Sequence, residues 1–82
     1  AMQRPMTHDL LAAMVESTGA SVQRVEVVAL REGTFYAEIV VLRQDETSVR
    51  VDARPSDAIA LATALGKPLF VAEDVLRDAA IL

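Results

Sequence analysis

The densest group of chemically versatile side chains in the sequence is Asp52, Arg54, Ser56 and Asp57, four polar residues within six positions. Two carboxylates at this spacing are candidate ligands for a Mg²⁺ or Mn²⁺ ion, which binds oxygen donors and keeps places open for phosphate. Arg54 is a candidate phosphate grip, because a guanidinium matches phosphate oxygens with paired N–H groups. Ser56 is a candidate hydrogen-bond donor to the same phosphate. The same residues also have a structural reading, with Ser56 capping a helix, Asp57 complementing the helix dipole, and Arg54 paired with Asp57 or Asp52. A second candidate is His8 beside Asp9, the only histidine of the chain. Imidazole exchanges protons near neutral pH, so His8 is a candidate general acid or base. The alternative is a histidine packed beside a helix that Thr7 and Asp9 cap.

The surrounding pattern indicates the elements that hold these residues. Arg4-Pro5 reads as an extended lead-in, because the residue before proline avoids the helical region. Thr7 then suits an N-cap, and Leu10, Leu11, Met14, Val15 and Thr18 recur at helical spacing up to Gly19. This predicts a helix over 8–18. Three strands are expected over 20–31, 34–43 and 47–53, separated by polar turns at Glu32-Gly33 and Gln44-Asp45-Glu46. Pro55 marks the start of a second helix, which Gly66 ends. A short edge strand at 69–71 and a helix over 73–79 complete the order α-β-β-β-α-β-α. One α+β domain with a mainly antiparallel sheet, spanning residues 1–82, is the expected architecture.

Two-residue turns in both hairpins assign one sheet face to Val25, Val27, Ala29, Tyr36, Val40, Leu42, Val49, Val51 and Ala53. The opposite face then carries Arg24, Glu26, Arg50 and Asp52 among Val28, Leu30, Phe35, Ile39 and Val41. Those apolar residues would need cover, from another subunit or from a segment outside the sequence, and the first predicts a homo-oligomer. In this register Glu38 falls on the core face beside Val27 and Ala53. A carboxylate there must pair, bind metal or titrate abnormally, so Glu38 joins the catalytic candidates.

Composition narrows the classes. The chain has 82 residues, 52 % of them hydrophobic and 24 % charged, with a net charge of −4. A chain this short buries only about 60 % of its unfolded surface, so one small domain is the limit. The apolar content argues against disorder. The absence of cysteine excludes a disulfide scaffold, a zinc–thiolate centre and a cysteine nucleophile. No apolar run approaches the ~20 residues of a membrane span and no signal-peptide pattern opens the chain, so no membrane contact is expected. The absence of cysteine is compatible with the cytoplasm. The acidic balance opposes nucleic-acid binding through a basic surface alone.

Four blocks carry a family resemblance: Arg4-Pro-Met-Thr-His-Asp-Leu-Leu11, Glu32-Gly-Thr-Phe-Tyr-Ala-Glu38, Asp52-Ala-Arg-Pro-Ser-Asp-Ala-Ile-Ala-Leu-Ala62 and Pro68-Leu-Phe-Val71. Their order and spacing resemble the bifunctional nuclease domain, formerly a domain of unknown function. The resemblance implies a cytoplasmic protein with DNase and RNase activity, with DNA and RNA as substrates. It also implies that the chain covers the C-terminal part of the domain, with residues 1–3 either an appended remnant or the tail of an upstream helix. The resulting expectation is a nuclease of low sequence specificity that hydrolyses phosphodiesters with Mg²⁺ or Mn²⁺ held by Asp52 and Asp57. His8, Glu38, Asp52 and Asp57 are its candidate catalytic residues, and Arg54 and Ser56 its phosphate-binding ones. The alternative is a non-catalytic interaction or regulatory module in which these motifs are structural.

Overall fold

The computed structural model describes residues 7–80. The elements are α1 (Thr7–Ser17), β1 (Ser21–Arg31), β2 (Thr34–Leu42), β3 (Ser48–Ala53), α2 (Pro55–Leu65), β4 (Leu69–Val71) and α3 (Glu73–Ala80). They follow the expected order and form an α+β fold. The sheet runs β3-β2-β1-β4, with β4 parallel to β1 and the other neighbours antiparallel. Helix α1 already includes Thr7, so its capping position and the Arg4-Pro5 lead-in lie outside the described residues. Among the described residues, no helix is long and apolar enough to cross a membrane.

Local chemistry accounts for the element ends. Glu32 and Gly33 both have positive φ, 51° and 78°, as the two central residues of a type I′ hairpin turn require. Gly66 ends α2 in the left-handed conformation and donates its N–H to the carbonyls of Ala62 and Thr63. The second hairpin closes differently. Glu46 N donates to Arg43 O at 3.0 Å and Arg43 N to Thr47 O at 2.8 Å, leaving a three-residue loop with Glu46 at φ 69°.

The register departs from the expected one at β2, and the cause is one residue. Val27 pairs with Ala37 and Ala29 with Tyr36, so Val28 is an extra residue, a β-bulge. A bulge moves every later partner by one place, which exchanges the faces of β2 relative to the turn. The third residue of the β2–β3 loop shifts the pairing by one again. Strand β3 therefore keeps its expected facing while β2 is reversed. Phe35, Ala37, Ile39 and Val41 join Val25, Val27, Val49, Val51 and Ala53 on the helix side. Tyr36, Glu38, Val40 and Leu42 lie on the other. The surplus of uncovered apolar side chains expected there is reduced, because Ile39 and Val41 are core residues, while Tyr36 stays exposed.

All three helices lie on one side of the sheet. The core joins Val22, Val25, Val27, Ala37, Ile39 and Val41 to Ala12 of α1, Ala58, Leu61 and Ala62 of α2, and Val75 of α3. The alanines let helix backbones approach, and Leu61, 1 % exposed, fills the space between α2 and the sheet. Leu61→Ala is expected to lower unfolding free energy by about 2–5 kcal/mol, read from urea denaturation followed by circular dichroism. A loss below about 1 kcal/mol would mean that Leu61 does not anchor this interface.

Candidate active site

Strand β3 ends at Ala53, and Arg54 turns the chain into α2. Arg54 is the N-cap residue, with φ −69° and ψ 141° and no side-chain cap hydrogen bond, and Pro55 follows it in the first turn. Ser56 is therefore inside the helix rather than its cap. Among the described residues, no ion pair joins Arg54 to Asp52 or Asp57. The structural reading of this cluster thus loses its cap and its ion pair, while Asp57 remains in the first turn where a helix dipole favours a carboxylate.

The N-terminal ends of α1 and α2 open on one cavity of about 510 Å³. Thr7 and His8 enter it from α1, Asp57 from α2 and Arg54 from the junction, with Asp52 at the sheet edge. Leu11, Ile39 and Val51 supply an apolar wall. Four of the six residues singled out in the sequence, His8, Asp52, Arg54 and Asp57, thus line one space although more than forty positions separate the first from the others. His8 is 27 % exposed, and its Nε2 stands 3.8 Å from Asp9 Oδ2. Thr7, read in the sequence only as a cap, adds a hydroxyl-bearing residue to the lining. Its signal is its position one residue before His8.

Ser56 and Glu38 lie elsewhere. Ser56 lines an adjoining cleft with Gly33, Thr34 and Tyr36, and Asp52, Ala53 and Arg54 form the ridge between the two spaces. Glu38, freed from the core by the bulge, stands on the open sheet face in a row of paired positions, Glu26–Glu38–Asp52. Arg50 Nη1 donates to Glu26 Oε1 at 3.0 Å and to Glu38 Oε1 at 3.1 Å, while Arg24 Nε donates to Glu26 Oε2. To reach Glu26, Arg50 crosses β2. Val40 lies between the two arginines in the register, and their aliphatic stems account for its 1 % exposure. Glu38 is thus partnered on the face remote from His8, with no anomalous burial. Asp52 belongs to the same face by the alternation of the strand and meets the cavity at the sheet's edge.

Among the described residues, no group of three His, Cys, Asp or Glu side chains is placed to hold a metal ion. Among the described residues Asp57 has no cationic partner, whereas Asp52 belongs to the other face of the sheet. One cavity carboxylate would suit only an ion that keeps most of its water and takes phosphate oxygens, as Mg²⁺ and Mn²⁺ do, and does not fit a closed protein cage.

All 82 residues match the family profile described as the bifunctional nuclease domain. The chain belongs to the bifunctional nuclease domain family. It is 43 % identical over 79 residues to the uncharacterized proteins MT1877 and Rv1829 of two Mycobacterium tuberculosis strains, CDC 1551 and H37Rv. The alignment takes in 96 % of the chain and 46 % of each relative, so the chain spans about half their length. Family membership associates the fold with a nuclease-related role. The Asp52–Asp57 block that carries the resemblance also lies at the cavity between the two helix ends.

The open-face network has a pH signature. Hydrogen bonds from Arg24, then Arg50, hold the Glu26 carboxyl below its ordinary value of 4.5. A carboxyl lowered by folding contributes stability above its unfolded pKa and loses it as pH falls through the folded value. The difference in melting temperature between the wild type and Glu26→Gln is therefore expected to be largest near neutrality and to shrink as pH drops below 4.5. A difference independent of pH would assign the effect of Glu26 to packing.

Proposed function

We propose that the chain is a nuclease of low sequence specificity that hydrolyses phosphodiester bonds in DNA and RNA at the cavity between α1 and α2. The observation that carries this reading is the convergence of His8, Arg54 and Asp57 on one space at two helix N-termini, in a chain of the bifunctional nuclease domain family.

Each residue has a role that its position supports. Arg54 binds the phosphodiester through its guanidinium. With no side-chain cap on α2, the first N–H groups of that helix are free of intrahelical partners and suit a phosphate oxygen. His8, at the opposite wall, holds or transfers a proton to or from water or the leaving oxygen. Asp57 is the main carboxylate for a Mg²⁺ or Mn²⁺ ion, with Asp52 adding negative potential at the rim. A bound ion supplies polarisation of the phosphate and a more acidic water. A net charge of −4 makes this cation doubly useful, since it also offsets repulsion between protein and substrate. Apolar Leu11, Ile39 and Val51 offer no base-specific hydrogen bonds, in keeping with low sequence specificity.

A non-catalytic interaction module is the second reading, favoured by the lack of a three-residue metal group among the described residues. Incubation of the purified chain with plasmid DNA and single-stranded RNA, with Mg²⁺ or Mn²⁺ and with or without chelator, separates the two. Metal-dependent cleavage is expected, reduced about 10²–10⁴-fold by His8→Ala. Asp57→Ala should weaken metal activation more than Asp52→Ala, and Arg54→Ala should chiefly raise KM. Binding that depends on Arg54 without hydrolysis at any metal concentration would sink the nuclease reading and support the module.

A further inference from the structure

The two edges of the sheet are unequal. Edge strand β4 has only three residues and follows Lys67 and Pro68, both of which discourage pairing with another chain. Edge strand β3 has six residues, Ser48–Ala53, without proline, glycine or lysine, and five of them are exposed. Among the described residues, no strand pairs with its outer side.

We propose that two copies of the chain join through the outer edges of β3, antiparallel about a two-fold axis at Val51, so that two four-stranded sheets become one continuous sheet. The charge order of the strand selects this register. With Val51 opposite its counterpart, Arg50 of each copy faces Asp52 of the other, and Val49 faces Ala53. Moving the axis to Arg50 sets arginine against arginine, and moving it to Asp52 sets aspartate against aspartate. Of these three centres in the middle of the strand, only Val51 pairs opposite charges.

Backbone geometry agrees. Arg43 N donates to Thr47 O, which marks these residues as a hydrogen-bonded pair of the β2–β3 ladder. Alternation then turns the N–H and C=O groups of 49, 51 and 53 toward β2 and those of 48, 50 and 52 outward. In the proposed register, outward-facing residues 50 and 52 meet, and each exchanges two backbone hydrogen bonds with its opposite. Side-chain capacity remains as well. The recorded bonds of Arg50 to Glu26 and Glu38 use Nη1, so other guanidinium N–H groups can reach the second copy's carboxylate. The side chain of Arg50 is 48 % exposed. On the helix side, Val51 is 45 % exposed, and an apolar groove lined by Leu11, Met14, Val15, Val41 and Val49 runs beside it. Pairing covers Val51 with its own counterpart. The interface thus lies at the edge of the sheet and not on its open face.

The absence of cysteine makes the register directly testable in the 82-residue chain. Val51 and its counterpart form a non-hydrogen-bonded pair with Cα atoms about 4.5 Å apart, within disulfide range. Val51→Cys is expected to yield a covalent dimer under mild oxidation, seen on a non-reducing gel. Val49→Cys is not, because position 49 faces position 53. Sedimentation equilibrium of the unaltered chain should give twice the chain mass, with Asp52→Lys weakening association at least about tenfold. Failure of Val51→Cys to cross-link, equal cross-linking through Val49→Cys, or a monomeric unaltered chain at about 100 μM would each overturn the proposal. Cross-linking is read without substrate, so its outcome is separable from that of the nuclease assay.

Discussion

Of the two extra residues in β1, Gln23 and Val28, the one nearer the turn governs how the rest of the chain is sorted. Strand side chains alternate with a period of two, so a single added residue decides which half of β2 meets the helices. Val28 is that residue. By facing Ala37, Ile39 and Val41 inward, it supplies the floor on which Leu61 and the small residues of α2 pack. By facing Glu38 outward, it makes Arg50 the bridge between β1 and β2 carboxylates. An unbulged β1 would bury a carboxylate under α2 and leave isoleucine and valine in water, and both changes oppose folding.

Most of the fold was legible because its signals are local. Gly19, Gly33 and Gly66 mark where the chain must turn, Pro55 opens α2, and β-branched runs mark the strands. The facing of β2 was not legible, for a physical reason. Val28 looks like any other strand valine, and no glycine advertises the bulge. The three-residue β2–β3 loop was equally silent, since its left-handed residue is Glu46 instead of glycine. These two irregularities cancel for β3, which is why Arg50 and Asp52 were placed on the correct face while Glu38 was not. At the candidate site, residue type singled out His8, Arg54 and Asp57 as candidates, whereas their meeting in one cavity depends on α1 packing beside α2. Ser56 was misread because proline at the helix start moved the cap back to Arg54.

Electrostatics divides the molecule into two regimes. On the open face, arginines and carboxylates satisfy one another, so the acids there are held in place and largely neutralised. In the cavity, Asp57 and Arg54 stand among apolar side chains with no recorded ion pair between them. Paired charges rigidify, whereas charges left without partners beside helix N-termini are available to a ligand. The division separates the charges that hold the sheet from those on which the proposed reading of the cavity rests.

The chain order also carries a consequence for synthesis. Strands β1, β2 and β3 are joined by tight hairpins and are complete by residue 53, but the other side of β1 pairs with residues 69–71. Helix α2 carries the chain across the sheet from one margin to the other before that pairing can form. During translation, β1 therefore lacks its parallel neighbour until residues 69–71 have left the ribosome. Until then the nascent meander exposes two bare margins, and β4 closes one of them.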